Sequence, residues 1–119
     1  NNFFGMTTAS AMAEAFAMAD EAGVSRESLY EVMSAGPLRS AMMDFVKAYG
    51  VDGDASKLGF SIRNASKDVG YYRQMSTDLG AKSIMSNCTN DAFTQAVDQG
   101  RGDHMVSEMV DFFSENLKK

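Results

Sequence analysis

The sequence predicts an all-α fold of about six helices, and three observations carry that prediction. Apolar residues recur every three or four positions almost from end to end. A single proline stands in 119 residues, where an average chain of this size carries roughly six; its scarcity suits long unbroken helices. Alanine and methionine, both strong helix formers, are plentiful. No segment alternates with period two over a strand's length, and there are no internal repeats or low-complexity tracts. At this length one domain with one sizeable core is expected over residues 1–119.

The elements follow in order. Asn2 to Ala22 holds no proline and one early glycine, Gly5. Ala9 to Ala19 is apolar or small nearly all the way round, with Glu14 the sole charge, so this helix is expected to be buried on every face, the shorter helices packing around it. Its length would be roughly 30 Å at 1.5 Å per residue, and Gly23 supplies its C-terminal cap. Ser25 can N-cap a second helix, whose Leu29, Val32 and Met33 face inward until Gly36-Pro37 stops it. Leu38, Met42, Phe45 and Tyr49 form the stripe of a third, ended by Gly50. Residues Val51 to Gly59 read as a loop. A fourth helix runs from about Phe60 or Ser61 to Leu79, capped by Gly80, with Ile62, Ala65, Val69 and Tyr72 inward. Met85, Cys88, Ala92 and Ala96 mark a fifth ending near Gly100. Asp103 can cap a sixth, whose Val106, Met109, Val110, Phe113 and Leu117 are apolar.

Charge and cysteine narrow the function classes. The formal net charge is −5 with no basic stripe, which disfavours nucleic acid and anionic membrane surfaces as partners. One cysteine, Cys88, excludes an intrachain disulfide and any multi-cysteine metal site, and suits a reducing, cytoplasmic setting. No window approaches a membrane-spanning length of uncharged apolar residues. The chain opens Asn-Asn-Phe-Phe, without methionine or the basic region of a signal peptide, as expected of a piece cut from a longer protein.

Several motifs invite chemistry that their surroundings refuse. Asp52, Asp54 and Ser56 mimic the opening of a calcium loop, but Lys57 and Arg63 stand where glycine and glutamate are needed. Arg101-Gly102-Asp103 is better read as a helix connection, glycine to turn and aspartate to cap. His104, the only histidine, has no nucleophile set for a triad and is expected on the surface, in a helix's first turn. Cys88 is expected to be a small buried hydrophobe. A phosphate-cradling glycine loop and a GxGxxG fingerprint are both missing, so the chain does not bind a dinucleotide by the usual device. Phe60, Asn64, Lys67 and Tyr71 would share one helical face, either an ordinary solvated face or the lining of a cleft. The Asn1-Asn2 pair can satisfy free N–H groups at the head of the first helix.

Taken in order, these residues resemble the helical domain of the β-hydroxyacid dehydrogenases, the family of 3-hydroxyisobutyrate, tartronate semialdehyde and 6-phosphogluconate dehydrogenases. Its members carry Lys-x-x-Asn-Asn before an alanine-rich helix, matched here by Asn1-Asn2 and the run through Glu14-Ala15 and Ala22-Gly23. They then carry Phe, six residues and Lys-Asp, matched by Phe60 and Lys67-Asp68, and later Gly-x-Gly-Asp, matched by Gly100 to Asp103. The resemblance covers essentially the whole chain and is strongest to the 3-hydroxyisobutyrate branch. It implies a C-terminal substrate and dimerisation domain of an NAD(P)-dependent enzyme whose N-terminal Rossmann domain and catalytic lysine lie outside this chain. Residue by residue, it implies that Asn2 supports catalysis beside that lysine, and that Phe60, Lys67 and Asp68 line the cofactor and interdomain cleft. NAD or NADP would be the cofactor of the full enzyme, a small hydroxyacid its substrate, and a homodimer or higher homo-oligomer its state. The 119-residue chain itself is expected to be inactive and to bind no cofactor tightly. The alternative is a non-enzymatic helical interaction or dimerisation module.

Overall fold

A computed structural model describes residues 2–118; Asn1, the first of the paired asparagines, lies outside the described residues. Among the described residues six α-helices form, as the periodicity predicts: α1 (Asn2–Glu21), α2 (Arg26–Ser34), α3 (Ala41–Gly50), α4 (Ile62–Asp78), α5 (Ile84–Ala96) and α6 (Met109–Asn116). Serines set their beginnings. Ser25, Ser40, Ser61 and Ser83 each accept a hydrogen bond from the backbone N–H three residues on, satisfying a donor the first turn leaves free. Gly23 and Gly80 end α1 and α4 with φ +73°, a conformation that a Cβ disfavours.

The centre of the molecule is α1, against which α3, α4, α5 and α6 pack. Phe16, Ile62, Phe93 and Met109 are fully buried there. Gly50 ends α3 for a reason of space: a Cβ on it would lie 2.9 Å from the Phe16 ring. The segment before α4 and the segment before α6 are tied together. Ser61 and Met105 make an antiparallel bridge, while Ile62 N–H donates to the His104 carbonyl at 2.8 Å and Arg63 N–H to the Gly102 carbonyl at 2.9 Å. Gly100, at φ +88°, turns the chain into this clasp.

The structure corrects several inward faces. The first helix is not buried all round: Phe4, Ala11 and Met18, spaced by seven, are exposed along one side. Val32 is 76% exposed and Leu38 65%, because α2 lies shallowly on the surface and α3 begins only at Ala41, turning Met43, Val46 and Gly50 inward. On α5 the buried face is Ser86, Thr89, Asn90, Phe93 and Ala96, so Met85 and Cys88 point out. Phe60 is not on α4: Ser61 caps the helix, and the Phe60 carbonyl is held by Val106 N–H at 2.8 Å. It therefore does not share a helical face with Asn64, Lys67 and Tyr71. Nor does Asp103 cap α6. A 3₁₀ turn (Val106–Glu108) precedes that helix, and the Glu108 carboxylate accepts from Met105 N–H at 2.7 Å. His104 is exposed as expected, but it sits in the clasp ahead of the turn.

Candidate functional site

Two consecutive residues fasten the start of α1 to α4. Asn2 Nδ2 donates to Asp68 Oδ2 at 2.7 Å. The Phe3 ring stacks on Tyr72 with centroids 4.2 Å apart and planes 14° from parallel. Asp68 and Tyr72 are one helical turn apart, which is why a dipeptide can reach both. The bond joins residues 66 positions apart in sequence.

Lys67 is the remaining cation of this face. Arg63 pairs with Asp103 at 3.4 Å and Arg73 with Asp91 at 2.9 Å, whereas Lys67 is exposed with no ion pair among the described residues. Phe60 is half-buried against the core, ahead of α4, and the helix from Ile62 to Asp68 puts roughly 9 Å of axial rise between its start and the Asn2 contact. Of the four residues that sequence singled out, then, Asn2 and Asp68 touch, Lys67 adjoins Asp68 in sequence, and Phe60 stands apart. Phe3 was missed, and Tyr72 was read as core stripe; an aromatic four residues beyond Asp68 was the available signal.

Behind this contact lies a polar seam. Asn90 Nδ2 donates to the Ser66 carbonyl at 2.8 Å, its Oδ1 accepts from Arg73 Nη1 at 3.3 Å, and the Thr7 and Thr89 hydroxyls lie 3.0 Å apart. Beside this contact an uncharged cleft of about 440 Å³ opens between Phe3, Thr8, Ala11, Met33 and Met43. Phe4 (74% exposed), Leu38 and Met85 (55%) stand around it.

A third cluster joins α3 to α6 and α1 to α2. The Tyr49 hydroxyl donates to the Asp111 carboxylate, which with burial pushes the phenol up to about 12. Arg26 binds the Asp20 carboxylate at 2.6 Å and the Gly50 carbonyl at 2.8 Å. Its hydrogen bond to Asp20 raises its pKa further, against the opposing effect of burial. The acidic pair of the loop is engaged locally: Asp52 accepts from Lys47 at 3.1 Å, and Asp54 from the Ser56 backbone at 2.9 Å. Among the described residues no group of three or more His, Cys, Asp or Glu side chains could hold a metal ion, and no helix is long and apolar enough to cross a membrane.

The family model described as the NAD-binding domain of NADP-dependent 3-hydroxyisobutyrate dehydrogenase matches residues 1–113. The chain belongs to this family. Two solved structures share the fold of this family member. A 3-hydroxyisobutyrate dehydrogenase from Salmonella typhimurium aligns with TM-score 0.83 and 23% identity, over 93% of this chain and 39% of that one. A Mycobacterium tuberculosis 3-hydroxyisobutyrate dehydrogenase, solved with L-serine, aligns with TM-score 0.72 and 21% identity, over 94% of this chain and 40% of that one. The chain thus spans about two fifths of the length of these dehydrogenases. No curated protein sequence matches it.

Proposed function

We propose that this chain is the helical, C-terminal domain of an NAD(P)-dependent β-hydroxyacid dehydrogenase of the 3-hydroxyisobutyrate type, forming one wall of the substrate and cofactor cleft. The observation that carries this reading is the juxtaposition of Asn2 with Asp68, beside the unpaired Lys67, in a chain matched by that family over residues 1–113. The donor set suits one side of a dinucleotide and a carboxylate-bearing substrate: a free ammonium for an anionic group and an amide for a hydroxyl. It offers no phosphate cradle, so this wall cannot hold the cofactor alone. When bound, NAD or NADP supplies the hydride acceptor for the carbon bearing the hydroxyl. Asn2 orients that hydroxyl by hydrogen bonding, and Lys67 places positive charge at the cleft. Phe60, half-buried ahead of α4, contributes an aromatic side chain to the cleft. The hydroxyl proton falls to a lysine expected upstream of Asn1. A cytoplasmic setting suits the exposed Cys88 thiol.

The same reading includes self-association as a homodimer or higher homo-oligomer, through the uncharged cleft and the exposed Phe4, Leu38 and Met85 around it. Sedimentation of the full-length protein at tens of micromolar is expected to give more than one copy; a clean monomer removes this part of the proposal.

The main test is steady-state kinetics on the full-length protein with small β-hydroxyacids and either nicotinamide cofactor. Substrate-dependent formation of reduced cofactor is expected, and its absence with every hydroxyacid overturns the reading. In that protein Lys67→Ala should lower kcat/KM at least tenfold with an unchanged melting temperature, since a positioned charge in a water-poor site contributes about 2–4 kcal/mol to the transition state. Lys67→Arg should rescue it only in part, because the guanidinium is forked where a compact charge was used.

A further inference from the structure

We infer that Asp68 is a positioning residue that acts through Asn2, fixing which end of the Asn2 amide is presented to the reacting hydroxyl. The inference rests on the proposed dehydrogenase reading and deepens it. An asparagine side chain offers two N–H donors on one atom and an acceptor on the other, and nothing in the residue itself decides which points where. A carboxylate decides it. Asp68 can only accept, so Nδ2 is the amide atom that meets it at 2.7 Å, and Oδ1 is left as the outward acceptor. A charge-assisted bond of this length is roughly twice as strong as a neutral one. An outward carbonyl oxygen accepts from a hydroxyl O–H or from an ammonium. Each is a proton-carrying partner of hydroxyl oxidation, and a reversed amide, presenting only N–H groups, could accept a proton from neither.

The surrounding contacts say that orientation, rather than mere anchoring, is what the carboxylate adds. The first turn of a helix is where fraying begins, and the stack of Phe3 on Tyr72 already holds that turn onto α4 without touching the Asn2 amide. Asp68 holds the side chain itself. Sequence gave no sign of this division of labour.

Two measurements test it. In nitrogen-edited NMR of the 119-residue chain, the Asn2 side-chain amide should appear as a displaced pair of resonances that moves toward the free-amide position in Asp68→Ala, while in Tyr72→Ala it stays displaced. In the full-length enzyme, Asn2→Ala and Asp68→Ala should each lower kcat/KM by about tenfold to a hundredfold, the range set by misplacing a reacting contact. The double variant should fall no further than Asn2→Ala by more than about twofold, because Asp68 has nothing to act on once the amide is gone. Tyr72→Ala, which loosens the helix start alone, should reduce the melting temperature more than it reduces kcat/KM. Independent, multiplying losses in the double variant, or an Asn2 amide already at the free position in the wild type, overturns the inference and leaves the dehydrogenase reading standing. A full-length wild type that oxidises no hydroxyacid overturns that reading and the kinetic role of Asp68 together, even where the amide resonances show the bond.

Discussion

Two neighbouring sides of α1 are finished in opposite ways. Toward α4 and α5 the contact is laced with small polar groups, Asn2 to Asp68, Thr7 to Thr89, and Asn90 to the Ser66 carbonyl one layer behind. Next to it, where α2, α3 and the first turn of α5 come together over α1, the lining is apolar, and Phe4, Leu38 and Met85 stand in solvent around an open cleft. The polar side is the closed one and the apolar side the open one, the reverse of what composition alone suggests. Small polar residues that satisfy each other let helices approach closely and in one register. Unsatisfied apolar area is what a second surface can use.

The largest effect should come from emptying the closed side. Phe93→Ala should destabilise the chain by about 3–5 kcal/mol, the range for a fully buried aromatic, whereas Leu38→Ala on the open rim should stay within about 0.5 kcal/mol. Urea unfolding of the two variants measures the contrast directly, and similar losses would erase it. Asn90→Ala comes next, at about 1–3 kcal/mol, since it removes the part-buried amide bonds to the Ser66 carbonyl and to Arg73. An Asn90→Ala melting curve matching the wild type would mean that the seam contributes nothing. Phe4→Glu should leave the fold within about 0.5 kcal/mol of wild type while abolishing self-association, as read by sedimentation at matched concentration. If the oligomer survives the charge, the cleft is not the interface.

The smallest effect is expected at Tyr49, which belongs to neither side. Its folded pKa of about 12 lies above the ordinary 10 because its hydroxyl donates to Asp111. The stabilisation is therefore fully present below pH 10 and is lost as pH rises through about 12. Tyr49→Phe should cost less than about 1 kcal/mol at neutral pH and flatten that alkaline limb. An unchanged slope of stability between pH 10 and 12 in the variant would refute the assignment.

The sequence made the helices legible because their ends are written locally. Ser25 and Gly36-Pro37 bracket α2, and Gly23 and Gly80 close α1 and α4, each through a bond or dihedral involving near neighbours. Inward faces were less legible where burial is polar. On α5 the hydrophobic stripe Met85, Cys88 and Ala92 outranked Ser86, Thr89 and Asn90, yet the latter are buried, because Thr89 and Asn90 find partners on other helices and Ser86 bonds back to the Ser83 carbonyl. No periodicity reports a partner 82 positions away. The candidate site divides likewise. Lys67 and Asp68 stood out as a motif, but the bond of Asp68 to Asn2 is a tertiary fact. Phe60 was drawn onto α4 because an aromatic fits a helical face as well as it fits the clasp that actually holds its carbonyl.

The packing of α1 against α6 has a consequence for how the protein is made. These helices come from opposite ends of the chain, Asn2–Glu21 and Met109–Asn116, and share one core. During synthesis α1 emerges first, and Phe16 is without Met109 and Val110 until nearly a hundred further residues have followed. Joining the two requires closing the longest loop the chain contains, and contacts of such separation slow folding. The nascent chain therefore waits with α1 covered only in part, by α3, α4 and α5, and the face that α6 will close is the last of the core to leave water.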